Sequence, residues 1–380
     1  MKPEPAPLEP PSSDNPFVGI DARTGVYARS RARAGRRWRV KGAANAESHC
    51  YHVMSRTCGG TALFDDVEKE ALLRLMRRMS GFLGMRVLTY CVMSNHFHIL
   101  VEVPHKQLWL ERLMEKGGED ALLRHLAKFY SRSFMHELRT DLKQLRDLGQ
   151  EAYAQERLEV FTRRFCDLSI WCKEIKERFG RWYNRRHGRK GTLWMERFKS
   201  VLVQDGEALK TMAAYIDLNP VRAKIVEEPG DYRWCGYAEA LSGSKEARQG
   251  LCRVMGAEEA CWSKPVAAGY GSVAELYRMN LFGDGVVRMS SAGQVTKNGF
   301  SAETSREVIK GHEGRLSTAE LIRHRVRHFT QGLALGSREW VEQVFIENRD
   351  SFGARRKSGA RRLREAEAGL FALRDLKSGE

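Results

Sequence analysis

The sequence predicts an α+β fold, a ferredoxin-like antiparallel sheet with helices on one face, and three observations lead to this prediction. Apolar stretches with strand character occupy residues 51–57, 86–93 and 97–103. An amphipathic stretch with helical periodicity, residues 65–84, separates the first strand from the second. The turn at 93–95 is short, so the last two strands should pair as antiparallel neighbours. This β-α-β-β order is the one in which a ferredoxin-like fold begins.

The middle of the chain is predicted to be mainly helical before a further strand. Residues 107–165 are strongly charged and have helical periodicity, and we interpret them as a helical insertion. Helical character continues over 168–188, and residues 191–204 are typical of one or two strands. A last helix is expected over about 206–219, because Pro220 limits its extent.

These patterns divide the chain into three predicted parts. Residues 1–45 contain little that could be buried and are expected to form a disordered basic arm, either a solvated tail or a DNA-binding one. Residues 46–240 hold the predicted sheet, its helices and the insertion. Residues 241–380 form a mostly helical basic extension, with helical segments near 302–334 and 337–349.

The charge of the chain indicates a polyanionic partner. Its 380 residues include 64 Lys and Arg against 48 Asp and Glu, a formal net charge of +16. A membrane surface would attract the same charge, but no apolar run approaches the roughly 20 residues that span a bilayer. We therefore expect no membrane association.

The first residues and the cysteines bear on location. Residues 1–16 are Pro-rich and have no apolar core, so they do not resemble a secretory signal, and we expect a cytoplasmic, nucleoid-associated protein. The eight cysteines form no C-x-x-C pair. We interpret them as reduced thiols, although a zinc cluster built from distant cysteines stays open at this stage.

Two histidines are the first candidates for chemistry. His96 and His98 flank Phe97 on a predicted strand, where alternate side chains share a face. Both imidazoles should therefore point the same way and could share one metal ion. The pair alone does not distinguish a metal site from structural histidines.

A tyrosine and an asparagine form the second candidate pair. Tyr215 and Asn219 are four residues apart on the predicted last helix, which places them on one face. A packed core tyrosine and an ordinary helix-ending Asn-Pro pair would account for the same pattern.

A third feature is a stretch of interleaved cations and aromatic rings over residues 178–199. Cations can contact phosphates and rings can stack on bases, which suits a strand of nucleic acid. A solvated helix face with core aromatics is an equally good interpretation. The candidate DNA-binding residues are Arg185, Arg186, Arg189, Lys190, Arg197 and Lys199.

Three motifs in one order resemble those of a known family. They read VMSNHFHILVEVP at 92–104, YNRRHGRKGTLWMERFKS at 183–200 and YIDLNPVRAKIVEEPGDYRW at 215–234. In combination they are similar to the HUH single-tyrosine transposases with an insertion-sequence-200-like domain, in particular the REP-associated tyrosine transposase branch. The resemblance spans about residues 48–238. The chain departs from it at Cys235 and Gly236, where the family often has two serines.

The resemblance implies a role for each motif residue. His96 and His98 would hold a divalent ion, Mg²⁺ or Mn²⁺, and Asn219 would complete its ligands. Tyr215 would be the nucleophile of an HUH nuclease core at 46–240. The implied activity is metal-dependent cleavage and rejoining of single-stranded DNA, at hairpin sequences similar to REP elements, through a covalent 5′-phosphotyrosine. The enzyme would be a monomer or a homodimer.

Other functions fit the same residues. A replication initiator or relaxase would use this chemistry on a different DNA. A non-catalytic DNA-binding regulator would need the basic residues and none of the proposed ligands, and a metal-dependent hydrolase would form no covalent link to DNA.

Overall fold

The computed structural model describes residues 39–115, 117–264, 271–284, 288–289, 295–297, 329, 332–362 and 370–374. The predicted basic arm falls almost entirely outside these described residues. In the described part of the chain, no helix is long and apolar enough to cross a membrane. The expected cytoplasmic location stays a prediction.

The chain begins with the β-α-β-β order that the sequence predicts, followed by helices and a fourth strand. The strands are β1 (Ser48–Arg56), β2 (Arg86–Val92), β3 (His96–Pro104), β4 (Lys199–Val203), β5 (Arg288–Met289), β6 (Val295–Lys297), β7 (Gly332–Gly336), β8 (Ala360–Arg362) and β9 (Phe371–Arg374). The helices are α1 (Asp66–Leu83), α2 (Lys106–Met114), α3 (Gly118–Ala127), α4 (Arg132–Asp147), α5 (Glu151–Thr162), α6 (Leu168–Arg186), α7 (Glu207–Asp217), α8 (Asn219–Arg222), α9 (Gly236–Leu241), α10 (Lys245–Met255), α11 (Val273–Asp284) and α12 (Arg338–Glu347).

The main sheet has seven strands in the order β2-β3-β1-β4-β7-β9-β8. Its first four strands are antiparallel, and with α1 and α6 as crossovers they form a ferredoxin-like unit. The predicted α+β class and sheet type are confirmed. Strand β7 joins the edge of this unit in parallel with β4. The C-terminal part of the chain therefore belongs to the same sheet, which the sequence did not predict.

One face of the sheet packs against α1, α6 and the insertion. Helix α1 begins where the Asp65 side chain accepts hydrogen bonds from the amides of Val67 and Glu68, and it ends at Gly84 in the left-handed conformation. Helices α1 and α6 bury apolar side chains against residues such as Val53 and Ile99. Helices α2 to α5 form the predicted helical insertion between β3 and α6.

The opposite face is also covered, by α7 and α9 to α11. Strand residues Cys50, Leu88, Leu100 and Val201 point into this second core, where they meet apolar side chains of those helices. The sequence predicted helices on one face only, because the sequence after residue 205 does not indicate which face of the sheet its helices cover. This second layer contains both Tyr215 and the histidine side of β3.

The extension after residue 240 is less regular than predicted. The expected helix near 337–349 is present as α12. The expected helix near 302–334 lies largely outside the described residues, and its last part is wrong, since Gly332–Gly336 forms strand β7. Strands β8 and β9 follow in the same sheet. An apolar run of this length is compatible with either a buried helix or a buried strand, so periodicity alone did not separate the two.

Candidate active site

Strand β3 places both candidate histidines on the face covered by α7. His96 is half-buried and His98 is 2% exposed, and their ring centroids are 5.0 Å apart with the planes nearly perpendicular. Phe97 between them points into the opposite core, where its ring lies 5.6 Å from that of Trp194. The two imidazoles therefore share a side, as the strand alternation predicts.

A third histidine, which sequence reasoning missed, contacts this pair. His52 on β1 is completely buried, and its Nε2 lies 2.8 Å from Nδ1 of His98. Its other ring nitrogen, Nδ1, lies 2.8 Å from the backbone oxygen of Phe329. On the other side of the pair, Nδ1 of His96 is hydrogen-bonded to Oδ1 of Asn95. In both candidate ligands, His96 and His98, Nδ1 is thus hydrogen-bonded and Nε2 is the nitrogen that could bind a metal ion.

Burial keeps these imidazoles neutral. Desolvation lowers the pKa of His52 to about 4, and desolvation together with the charge of Arg56 lowers the pKa of His96 to about 4. The pKa of His98 falls well below its usual value, through burial first and then through the neighbouring His52, His96 and Arg222. Neutral imidazoles have the free nitrogen lone pair that a metal ligand needs.

Helix α7 brings Tyr215 against this cluster. The ring centroid of Tyr215 is 5.8 Å from that of His98 and 6.1 Å from that of His52, both in edge-to-face geometry. The ring of Phe329 stacks on it at 4.8 Å. Tyr215 is only 3% exposed, and this burial raises the pKa of its phenol, while the charge of Arg222 opposes the rise.

A buried carboxylate attaches α7 to the sheet. Asp217 accepts hydrogen bonds from the hydroxyl groups of Thr89, at 2.8 Å, and Tyr277, at 2.5 Å, and from the amide of Tyr237. Complete burial raises its pKa to about 7. Thr89 belongs to β2, Tyr237 to α9 and Tyr277 to α11. This one side chain therefore connects α7 to three other elements.

Asn219 lies near the tyrosine but not on the same helix. Helix α7 ends at Asp217, and Asn219 begins the short α8, although Leu218 between them keeps right-handed helical angles. The side-chain amide of Asn219 donates to the backbone oxygens of Tyr215, at 3.0 Å, and Ile216, at 3.1 Å. The predicted helix thus ends two residues earlier than expected, at Asp217. The side chain acts as a helix cap and still has its Oδ1 atom for another partner.

Two imidazoles and one side-chain amide are the candidate metal donors. Within the described ranges, no three His, Cys, Asp or Glu side chains are grouped in a way that could hold a metal ion. His52 has both nitrogens engaged, so it is not a ligand. The remaining set is Nε2 of His96, Nε2 of His98 and Oδ1 of Asn219, neutral nitrogen and oxygen donors of the kind that Mn²⁺ accepts and that Mg²⁺ accepts less readily.

The segment that carries the two histidines also matches a known family. Residues 45–116 match the transposase IS200-like family model. The match covers β1, α1, β2 and β3, includes both histidines and ends before Tyr215. It supports a transposase, an enzyme that acts on DNA.

No curated protein matches the sequence. A solved structure of a REP-associated tyrosine transposase bound to a REP hairpin is similar with a TM-score of 0.33 and 13% identity, over 56% of this chain and 87% of that one.

Three cations lie on the same side of the sheet as the histidine and tyrosine cluster or in contact with it. Arg56 stands opposite His96 in the β1–β3 pairing. Lys199 on β4 and His98 on β3 both pair with Met54 of β1, which lies between them, so their side chains share one face of the sheet. Two strand spacings separate them by about 10 Å. Arg222 lies over the Tyr215 ring at 4.8 Å. Lys199 was predicted to bind DNA. Arg56 was not, because strand register cannot be deduced from sequence alone, and Arg222 was not singled out from the sequence either.

Two of the other predicted DNA-binding residues lie on the far side of the sheet from this cluster. Arg185 and Arg186 are exposed in the last turn of α6, which packs on the opposite face of the sheet, and Arg186 pairs with Glu68 at 3.2 Å. Arg189 lies over the ring of Tyr183. Exposed side chains further along complete the set, namely Lys190 and Arg197.

Two of the aromatic rings in that stretch are buried. Tyr183 and Trp194 are buried in the first core, and Trp182 packs at its edge. This burial favours core aromatics for Tyr183 and Trp194, whereas Trp182 and Phe198 are only partly buried. Aromatic spacing on a helix does not reveal which side is covered by a neighbouring helix.

Proposed function

We propose that this protein is a metal-dependent transposase that cleaves and rejoins single-stranded DNA through a covalent 5′-phosphotyrosine at Tyr215. In this proposal His96, His98 and Asn219 hold Mg²⁺ or Mn²⁺, and the substrate is a hairpin similar to REP elements. The single observation that carries it is the 5.8 Å separation between the rings of Tyr215 and His98, residues far apart in sequence. The family match at 45–116 supports the same class of enzyme.

The chemistry requires few groups, and this chain has candidates for each. The Tyr215 oxygen would attack the scissile phosphorus, the bond from phosphorus to the 3′ oxygen would break, and the DNA would keep a free 3′ hydroxyl. A bound divalent ion would polarise the phosphate and offset its growing negative charge. The phosphotyrosine conserves the energy of the broken bond, so a second 3′ hydroxyl can displace the phenol and join a new strand.

The surrounding cations have roles in this scheme. Arg222, which contacts Tyr215, would favour the phenolate form of the nucleophile. Arg56 and Lys199 flank the histidines on the sheet face and would bind phosphates next to the scissile one. The residues at the end of α6 would contact DNA further along the strand.

Access to the nucleophile requires a rearrangement. Tyr215 is 3% exposed, and the stacked ring of Phe329 covers part of it. DNA binding would have to displace Phe329 or its neighbours before the phenol could reach a phosphate. The same burial favours a second candidate function, a non-catalytic DNA-binding regulator in which Tyr215 is a core residue.

One experiment separates these two candidates. The wild-type protein is incubated with labelled single-stranded hairpin DNA and Mn²⁺ and then denatured. We expect a protein-DNA adduct that survives denaturation, that Tyr215→Phe abolishes and that Tyr153→Phe, at an exposed tyrosine of α5, leaves intact. An adduct undiminished in Tyr215→Phe contradicts the assignment. No adduct with hairpin, unstructured or origin-type DNA supports the regulator.

A further inference from the structure

His52 is a buried histidine to which the proposed chemistry assigns no role. It is completely buried on β1, beside the candidate ligand His98, and both of its ring nitrogens are hydrogen-bonded. The rings of His52 and His98 lie 5.1 Å apart and almost parallel. A polar ring buried in an apolar core is stabilised only when its nitrogens have partners, and both partners of His52 are identified.

The partners of His52 determine where its proton lies. The backbone oxygen of Phe329 can only accept, so Nδ1 of His52 must donate to it across the 2.8 Å contact. A neutral ring then has a bare Nε2, which must accept from its own partner. That partner is Nδ1 of His98, 2.8 Å away, which therefore carries a proton.

The proton on Nδ1 of His98 determines which of its ring nitrogens is free. With Nδ1 protonated, a neutral His98 ring has its lone pair on Nε2. A charged ring in this pair is disfavoured, because both rings are buried and face each other across one short contact. The opposite tautomer of His98 would set two lone pairs against each other.

We propose that His52 is a positioning residue which, through the chain from the Phe329 carbonyl to His52 to His98, holds His98 with its bare Nε2 available to a divalent ion. This inference rests on the proposed function for the purpose of the ion, but the proton positions are independent of it. Metal-bound histidines commonly donate their second N–H to a fixed acceptor, which orients the ring and selects the tautomer. Here the acceptor is another imidazole.

Phe329, which accepts the hydrogen bond from His52, also contacts Tyr215. The carbonyl that His52 contacts belongs to Phe329, whose ring also stacks on Tyr215. Phe329, which lies outside residues 46–240, thus contacts both His52 and Tyr215. A change that moves Phe329 away from this place should therefore disturb the His98 tautomer as well as the packing of Tyr215.

The first test is nuclear magnetic resonance of the metal-free wild-type protein labelled with ¹⁵N at histidine. We expect His98 to have a protonated Nδ1 and a bare Nε2, and His52 to have the same tautomer. The reverse tautomer at His98 overturns the proposal. This measurement needs neither metal nor DNA.

The second test is the affinity for Mn²⁺, measured by electron paramagnetic resonance. His52→Phe retains a ring but removes the acceptor, and we expect binding to weaken by about 10- to 100-fold. His52→Gln can accept the His98 proton through Oε1 and should recover most of the affinity. Cys50→Ala, buried on the same face of β1 but hydrogen-bonded towards Asp205, is the control and should bind as wild type.

The outcomes separate this inference from the proposed function. If His52→Phe is folded by circular dichroism and binds Mn²⁺ as tightly as wild type, His52 has only a packing role and the inference is wrong. If the tautomer and affinity behave as expected but no tyrosine adduct forms on any DNA, the inference stands and the proposed function fails.

Discussion

The guanidinium of Arg222 lies 4.8 Å over the ring of Tyr215 and donates a 2.7 Å hydrogen bond to the backbone oxygen of the same residue. One side chain thus holds the end of α7 and places a positive charge beside the proposed nucleophile. Burial raises the pKa of the Tyr215 phenol, and this charge is the largest opposing influence. The arrangement makes Arg222 the residue through which the acidity of Tyr215 can be tested.

We predict that Arg222→Gln slows adduct formation and shifts its pH profile upwards. Glutamine can retain a hydrogen bond to the Tyr215 carbonyl but removes the charge, so the phenol pKa rises and less phenolate is present at a given pH. The expected loss near neutral pH is on the order of tenfold, the value of a partly desolvated cation over a ring. The measurement is the adduct rate between pH 6 and pH 10. A uniform loss with an unshifted profile would mean that Arg222 binds phosphate rather than acidifying Tyr215.

A second prediction concerns the cover over the nucleophile. Phe329→Ala should make Tyr215 accessible to nitration, because it removes the ring that stacks on the phenol. It should also destabilise the protein by roughly 3–5 kcal/mol, the usual loss for a buried phenylalanine. Nitration is mapped by mass spectrometry, with the exposed Tyr153 as internal standard. Equal nitration of Tyr215 and Tyr153 in the wild type would show that the phenol is already open in solution.

A third prediction separates the two functions of Asn219. Its amide donates to two backbone oxygens at the end of α7, and its Oδ1 is the proposed ligand atom. Asn219→Ala should lose both and need more Mn²⁺ for half-maximal adduct formation. Asn219→Asp retains an oxygen ligand but cannot donate, and it places a negative charge at a helix C-terminus, so stability should fall by about 1 kcal/mol while metal affinity is at least that of wild type.

The control for Asn219 is urea unfolding of both variants. Similar destabilisation with opposite effects on metal dependence supports the ligand role. If alanine needs no more Mn²⁺ than the wild type, Asn219 is a helix cap alone and the proposed ligand set is reduced to the two histidines.

A fourth prediction compares two groups of cations. Lys199 shares the histidine face, whereas Arg185 and Arg186 lie at the end of α6 on the other side of the sheet. Each phosphate contact to single-stranded DNA contributes about 0.7 to the slope of log affinity against log salt. Lys199→Ala should lower the slope by about that amount. Arg185→Ala with Arg186→Ala should lower it by up to about twice as much if α6 touches DNA.

Fluorescence anisotropy with a hairpin at several salt concentrations measures both slopes. An unchanged slope in the double variant would assign Arg185 and Arg186 to a solvated face. An unchanged slope in Lys199→Ala would show that Lys199, whose side chain also pairs with Glu196, does not contact a phosphate.

Local patterns were enough to predict much of the core. The β-α-β-β order, the helical insertion and the common face of His96 and His98 all depend on periodicity over a few residues, and the structure has each of them. The position of Tyr215 against the histidines was expected from the resemblance of three motifs and not from spacing. Its burial was not expected, because exposure depends on what packs over a helix.

Tertiary structure alone decided which residues complete the site. His52 and Arg56 meet the β3 histidines through strand register, and Phe329 meets Tyr215 through a contact between distant parts of the chain. Tyr183 and Trp194 are buried by helix packing rather than presented to DNA. A sequence encodes periodicity locally, whereas register and burial result from the free energy of packing over the whole fold, so no local pattern could reveal them.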